Sequence, residues 1–176
     1  MRRDDGVHHG TLLLAPLTQP RPRIMARIDL DRATLPEFER RMSALAPDAE
    51  RLWGTLSVAR MFAHLRITYE ISLEERAAKD ESRAWLLPVL WVLLFELWTR
   101  WPHGVIQASP QFLNDAAEDA EGERDLAIAA MRRFVERAEN DPGRKVLEPM
   151  LGRVTLKRWR RIHGVHTDYH LRQFGG

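Results

Sequence analysis

The chain has 176 residues, of which 44% are apolar and 30% are charged, a composition that suits one soluble globular domain and excludes wholesale disorder. Its 27 basic and 25 acidic residues are interspersed, apart from one basic run at 157–161, so we predict no nucleic-acid partner. The chain has no cysteine, which excludes disulfides, cysteine nucleophiles and thiolate metal ligands, so a transition-metal site must be built from imidazole and carboxylate groups.

Residues 1–24 are predicted to form a disordered N-terminal tail, because glycines and prolines interrupt them and no apolar period is sustained. The apolar run that follows Arg2 and Arg3 is too short for the core of a signal peptide, so we expect a cytoplasmic protein. A more regular stretch opens at Met25. We therefore assign residues 25–176 to a single helical domain.

Two helices are predicted in the first half of this domain. Thr34 and Glu37 fit a capping box at the start of the first helix, which should end near residue 46. Ser57 should cap a second helix that runs to about residue 77. His64 lies at the edge of the inward face of this second helix. That face consists of Val58, Met61, Leu65, Tyr69 and Ser72.

A third helix is predicted over residues 84–100, and it is apolar nearly all round. Its most apolar part contains Pro88 and Glu96 and falls short of the roughly 20 residues that a membrane-spanning helix needs, so we predict no membrane span. Such a helix is buried within the monomer, forms part of a homodimer interface or lies on a membrane surface, and the residues alone leave these interpretations open. The tryptophans concerned are Trp85, Trp91, Trp98 and Trp101.

Two further helices are predicted in the second half of the domain. The fourth helix covers about 121–139, and Thr155 should cap the last helix, at about 156–173. The residues between these helices are predicted to form a loop, because no segment of the chain shows the alternation of a strand. The core-facing side of the fourth helix is marked by Leu126, Ala130, Phe134 and Ala138. The predicted fold class is all-α, a bundle of four core helices with one additional apolar helix.

The last helix carries a pair of histidines, His166 and His170, at the spacing i,i+4. This spacing stacks two imidazoles on one face about 6 Å apart, which suits two ligands on one transition-metal ion. His163 cannot join both of them, because residues 163 and 170 are about 10 Å apart along a helix axis. At 100° per residue, Trp159, Ile162, His166, Tyr169, His170 and Gln173 face the core, and Arg160, Arg161, Val165, Asp168 and Arg172 point away.

A third ligand would have to come from another helix, and His64 on the second predicted helix is the candidate. The residues alone leave an alternative open, in which His166 and His170 are hydrogen-bonded core residues. In that interpretation His64 is a structural histidine at the edge of a helix face. His103 follows Pro102 in a predicted loop and is expected to be exposed.

Two segments of the chain resemble the DinB-like superfamily of small four-helix bundles. One is residues 53–65, with Trp53-Gly54 at its start and His64-Leu65 at its end, and the other is residues 159–175, which contain the run from His166 to Gly175. This superfamily includes bacillithiol transferases and the mycothiol-dependent maleylpyruvate isomerase, and the chain is most similar to an uncharacterised branch. The resemblance covers roughly residues 26–176 and implies a DinB-like helical bundle domain.

The resemblance also implies a set of metal ligands, namely His64, His166 and His170, holding one divalent ion. It gives His163 no such role. The branch often has His-Pro where this chain has Glu148-Pro149, so no role in the site is assigned to this loop. Gln173 either orients a ligand histidine or bonds the carbonyls at the helix end, and the residues leave these alternatives open.

Three neutral imidazoles would leave a zinc or nickel ion open positions for water or substrate, as in catalytic rather than structural sites. The resemblance implies a metal-dependent enzyme that activates a low-molecular-weight thiol toward a small-molecule substrate, as a transferase or a related hydrolase or isomerase. The alternative is a non-catalytic metal-binding bundle with a role in stability or interaction. In either case we expect a homodimer.

Overall fold

The computed structural model describes residues 28–82, 87–97, 101–104 and 109–176, so the tail predicted at 1–24 lies outside the described residues. Five helices and one two-stranded sheet make up these residues, which confirms the all-α class. The helices are α1 (Leu35–Ala44), α2 (Val58–Ser72), α3 (Leu87–Trp91, continued by the π-helical segment Val92–Leu97), α4 (Ala120–Asn140) and α5 (Leu156–Gln173). The strands are β1 (Lys145–Glu148) and β2 (Gly152–Thr155), and Pro110–Phe112 forms a short 3₁₀ turn.

The two helices that build the centre of the domain start where their capping residues predict. The Ser57 side chain accepts a hydrogen bond from the Arg60 N–H at the start of α2, and the Thr155 side chain accepts one from the Arg158 N–H at the start of α5. These bonds satisfy amides that have no partner within the helix. The predicted end of α2 is wrong, since the helix stops at Ser72, where the chain soon turns through Glu74 at a positive φ of 62°.

The capping box predicted for α1 is absent. Thr34 does precede the helix, but its hydroxyl donates to the Asp29 carbonyl at 2.7 Å and therefore ties down the preceding loop. Glu37, the other half of the predicted box, bonds to the Arg40 side chain instead. The start of α1 was thus predicted correctly, whereas the hydrogen bonds at that start were predicted wrongly.

Helix α2 runs through the middle of the domain, packed against α4 on one side and α5 on another. All the residues predicted for its inward face are buried. On α4 the prediction fails at one position, because Leu126 is 54% exposed while Ala127 is fully buried. The buried stripe of α4 passes through Ala127, Met131, Phe134 and Ala138, one residue out of phase with Leu126.

The loop predicted between α4 and α5 is a β-hairpin, so the expectation that no strand is present is wrong for this segment. Strands β1 and β2 pair antiparallel, with Val146 opposite Val154 and Glu148 opposite Gly152. Each strand has only four residues, too few for an alternating pattern to be recognised in the sequence. Val146, Val154 and Glu148 are all buried, so this face of the hairpin closes one side of the bundle.

Helix α3 is less buried than its apolar sequence led us to expect. Phe95 is buried and Trp91 is partly buried, whereas Val89, Val92, Leu93 and Leu97 are exposed. Trp101 is buried, and Trp85 and Trp98 lie outside the described residues. No helix within the described ranges has the length and apolar character needed to cross a membrane.

Candidate metal centre

The packing of α2 against α5 brings the three predicted ligands together. His64 lies in the middle of α2 and faces His166 and His170 on α5. The His64 Nε2 atom is 2.9 Å from His166 Nε2, which in turn is 3.1 Å from His170 Nε2. Tyr69 and Thr167 fix the relative position of the two helices through a buried hydroxyl–hydroxyl hydrogen bond of 2.6 Å.

Hydrogen bonds on the far side of two of the rings determine where their protons lie. His64 Nδ1–H donates to the Phe112 carbonyl at 3.0 Å. The Gln173 amide group donates to the Trp53 carbonyl at 2.7 Å, so its Oε1 atom accepts from His170 Nδ1–H at 3.0 Å. In their neutral forms, His64 and His170 therefore direct Nε2 lone pairs toward the centre of the cluster.

The third ring cannot satisfy both of these lone pairs. His166 Nε2 carries at most one hydrogen, which it can donate to His64 or to His170 but not to both. A metal ion would satisfy all three nitrogens at once. Two nitrogens on one tetrahedral ion lie about 3.3 Å apart, so the contacts of His166 with His64 and with His170 would each lengthen by only a few tenths of an ångström. The ligand atoms of the three histidines all lie within 4.8 Å of one another, and this group could hold a metal ion.

The surroundings keep all three imidazoles in the neutral form that ligates metals. Burial lowers the pKa of His64 and lowers that of His170 to about 3. Burial also holds the pKa of His166 well below its usual range, with a further contribution from repulsion by the neighbouring imidazoles. Because the three imidazoles are already neutral at neutral pH, a cation does not have to displace a proton from the cluster in order to bind.

Two other histidines lie outside the cluster, as the sequence argument expected. His163 is fully buried, stacks on Trp159 with ring centroids 4.9 Å apart, and donates from Nε2 to the Ser72 hydroxyl. That direction follows because the hydroxyl hydrogen of Ser72 is already donated to the Tyr69 carbonyl at 2.7 Å. His103 is exposed and stacks on Trp53 at 3.7 Å.

Gln173 lies between His170 and the loop before α2. Of the two roles left open by the sequence, the observed bonds support the first, since its amide links His170 to the Trp53 carbonyl. Gly54 makes this approach feasible: a Cβ atom at this position would overlap Gln173 Nε2, and its φ is +80°. The Trp53-Gly54 pair is thus part of the support of His170.

The prediction that one side of α5 points to solvent is wrong at two positions. Val165 and Asp168 are both buried. Asp168 accepts hydrogen bonds from Arg41 at 2.9 Å and from Arg172 at 2.8 Å, so its burial is compensated by two charged partners. Helix α1 covers this side of α5, and a helical pattern alone could not reveal that second neighbour.

The histidines form part of the wall of a cavity of about 450 Å³, a volume suited to a small organic molecule. Most of its wall is apolar and aromatic. Beyond the histidines, its described lining includes Trp53, Trp101, Phe112, Leu113, Glu148, Met150, Trp159, Ile162 and Tyr169.

Glu148 is the residue of this cavity that sequence reasoning missed. Its side chain is 8% exposed, and Oε2 accepts hydrogen bonds from the backbone N–H groups of Met150, at 2.9 Å, and Leu151. Burial raises the pKa of this carboxyl to about 7, outweighing the opposite effect of those two bonds. The only sequence signal was an acid beside a proline within an apolar stretch, which did not reveal the hairpin.

Comparison with known proteins assigns the chain to a family. A family model described as a protein of unknown function (DUF1569) matches residues 25–175. No curated protein and no solved structure shows significant similarity to the chain. The description of this family names no activity.

Proposed function

The chain belongs to the DUF1569 family, and from its site we propose that it is a divalent-metal-dependent transferase that activates a low-molecular-weight thiol. The observation that carries this proposal is the convergence of three imidazole Nε2 atoms on the wall of a cavity of small-molecule size. Structural metal sites are closed by four protein ligands, whereas three ligands beside a cavity leave room for a substrate.

The metal proposed is zinc or nickel, since both accept an all-nitrogen set of neutral ligands. We also propose that the chain belongs to the DinB-like superfamily, a proposal supported by the Trp53-Gly54 and His166–Gly175 motifs and by the helical bundle. A divalent ion at the cluster would lower the pKa of a coordinated thiol or water molecule.

The protein's own residues would hold and shield the reacting groups. His64, His166 and His170 are the proposed ligands, and the Phe112 carbonyl and Gln173 fix the orientation of two of them. The aromatic walls would exclude water and bind the apolar part of a substrate. The thiol has to come from a small molecule, because the chain has no cysteine.

A second candidate function is a non-catalytic metal-binding bundle that acts as a homodimer. One observation favours it: α3 exposes Val89, Val92, Leu93 and Leu97, an apolar face that a second copy could cover. In that case the metal would stabilise the fold without turnover.

Metal analysis of purified protein tests the shared premise of both candidates. We expect about one ion per chain in the wild type and close to none in His166→Ala, because two imidazoles hold a divalent ion far more weakly than three. His103→Ala is the matched control, since it removes an exposed histidine outside the cluster and should retain the metal. Equal metal content in all three proteins would rule out the proposed site.

Turnover then separates the two candidates. Metal-loaded and metal-stripped proteins are compared with a panel of small thiols and electrophiles, monitoring thiol consumption. Metal-dependent consumption supports the transferase. Metal binding without turnover across the panel, together with a dimer that dissociates when Leu93 and Leu97 are replaced by serine, supports the second candidate.

A further inference from the structure

The cavity is also lined by an acidic group, which comes from the hairpin and not from the helices that carry the histidine cluster. Glu148 lies at the end of β1, on the same face of the hairpin as the buried residues Val146 and Val154, and lines the cavity that the three histidines also line. Because strand side chains alternate, Lys145 and Leu147 point to the other face. Glu148 is the one carboxylate among the described residues of the cavity lining.

The two oxygens of this carboxyl group have different surroundings. Oε2 accepts two backbone hydrogen bonds, from Met150 and Leu151, which fix the orientation of the group. Both hydrogen bonds that the carboxyl group forms with described residues go to Oε2, and none goes to Oε1. A proton bound to Glu148 therefore resides on Oε1, since the lone pairs of Oε2 are engaged by two donors.

Glu148 has few charged neighbours that could fix its protonation state permanently. Asp80, in the loop after α2, disfavours the charged form of Glu148, and two other residues of the cavity lining, Thr68 on α2 and His163 on α5, are neutral. The hairpin's basic residues, Lys145 and Arg153, are exposed on its outer face. Burial places the pKa of Glu148 at about 7, where a group can both accept and donate a proton.

We propose that Glu148 is the proton-transfer residue of this cavity, taking the proton of a small thiol bound beside the three histidines and returning it to the leaving group. This inference rests on the proposed function. In the first step the S–H bond breaks, its electron pair stays on sulfur and an O–H bond forms at Glu148 Oε1. In the second step sulfur attacks the electrophile, the bond to the leaving group breaks, and the proton on Oε1 passes to the leaving group. Glu148 ends as the carboxylate with which it began.

Proton counting during thiol binding tests this assignment without requiring turnover. Benzyl mercaptan, an aromatic thiol that suits the cavity wall, is titrated into zinc-loaded protein at pH 8 by calorimetry, in buffers of different ionisation enthalpy. We expect little net proton release from the wild type, because the negative charge of the adjacent bound thiolate raises the pKa of Glu148 from about 7 to above the pH of the titration, so that the carboxyl keeps the proton. Glu148→Gln should release about one proton per bound thiol, because the amide cannot accept it. Glu121→Gln, the same change at an exposed position of α4, should behave as the wild type.

The outcomes distinguish this inference from the function on which it rests. Equal proton release from the wild type and Glu148→Gln would overturn the role of Glu148 and leave the metal-and-thiol proposal standing. Zinc binding with no heat from the thiol in any variant would overturn both. Loss of zinc from Glu148→Gln, measured before the titration, would also overturn the inference, since it would make Glu148 a part of the metal site.

Discussion

The histidine cluster and the hairpin form two walls of one cavity, and they position their reactive groups by different means. On the cluster side, His64 and His170 are each held by a hydrogen bond on the far side of the ring, to Phe112 and Gln173. On the hairpin side, Glu148 is held by two backbone amides of its own turn. The cluster therefore presents lone pairs that could bind a cation, whereas the hairpin presents a carboxyl oxygen that can carry a proton. One cavity thus combines a wall that could hold a metal ion with a wall that carries a carboxyl group.

The largest difference between the walls should appear when a metal ion is added. Zinc at about 1,000 times its dissociation constant should raise the free energy of unfolding by about 4 kcal/mol, because it binds the folded cluster and not the unfolded chain. The increase should vanish in His64→Ala and persist in Glu148→Gln. Urea denaturation with and without zinc measures both. A zinc effect that survives in His64→Ala would place the ion elsewhere.

A comparison of the pH dependence of stability in the wild type and in Glu148→Gln should isolate the contribution of the hairpin wall. The pKa of Glu148 is about 7 in the folded protein against its ordinary value of 4.5, so between these pH values the folded state holds a proton that the unfolded chain has released. The contribution of Glu148 to the free energy of unfolding should therefore fall by up to about 3 kcal/mol as pH rises through this window. The buried histidines act in the opposite sense, because their lowered pKa values make stability rise over the same range in both proteins. The free energy of unfolding of the metal-free wild type minus that of Glu148→Gln should therefore decrease between pH 5 and pH 8, as measured by urea denaturation. An equal pH dependence in the two proteins would contradict a raised pKa of Glu148.

Gly54→Ala tests how closely the cluster depends on the loop before α2. The new Cβ would overlap Gln173 and would occupy a backbone conformation with φ of +80°. We expect a loss of about 2 kcal/mol in the free energy of unfolding. Gly104→Ala is the matched control for strain alone, because Gly104 also has positive φ but open space around it. Equal losses in the two variants would show that contact with Gln173 is unimportant.

The smallest expected effect concerns the support of His170. Gln173→Ala removes the acceptor of His170 Nδ1–H, and the zinc dissociation constant should rise about tenfold. Gln173→Glu keeps an acceptor for the imidazole and should recover most of the affinity, whereas a purely structural role would not be rescued this way. Competition with a chromophoric chelator measures the dissociation constants.

Local signals in the sequence were sufficient to predict where the two helices that carry the cluster begin. Ser57 and Thr155 cap α2 and α5 as predicted, since capping depends on residues within one turn. The spacing of His166 and His170 places both rings on one side of a helix, because the geometry of a helix fixes that relation without any neighbour. His64 lies far away in sequence, so its position on a predicted helix made it only a candidate for the third ligand, and the resemblance to DinB-like bundles then favoured it.

Predictions that depended on which neighbour covers a surface were less successful. Leu126 was assigned to the core and is exposed, while Val165 and Asp168 were assigned to solvent and are buried. Helix periodicity gives the angle between side chains but not the direction in which a second helix approaches. The apolar residues of α3 illustrate the same limit, since the sequence could not decide between burial and exposure.

The sequence by itself determined the all-α class, the start of the main helices and the histidine pair on α5, because each follows from contacts within a few residues. The resemblance implied that His64 joins this pair, and the tertiary structure brings them together. The tertiary structure alone decided that Gln173 links His170 to the Trp53 carbonyl beside Gly54, and that Glu148 lines the same cavity. The contact of His64 with His166 and that of Trp53 with Gln173 join residues 102 and 120 positions apart in the chain. Packing of the whole domain selects such contacts, and no short stretch of residues encodes them.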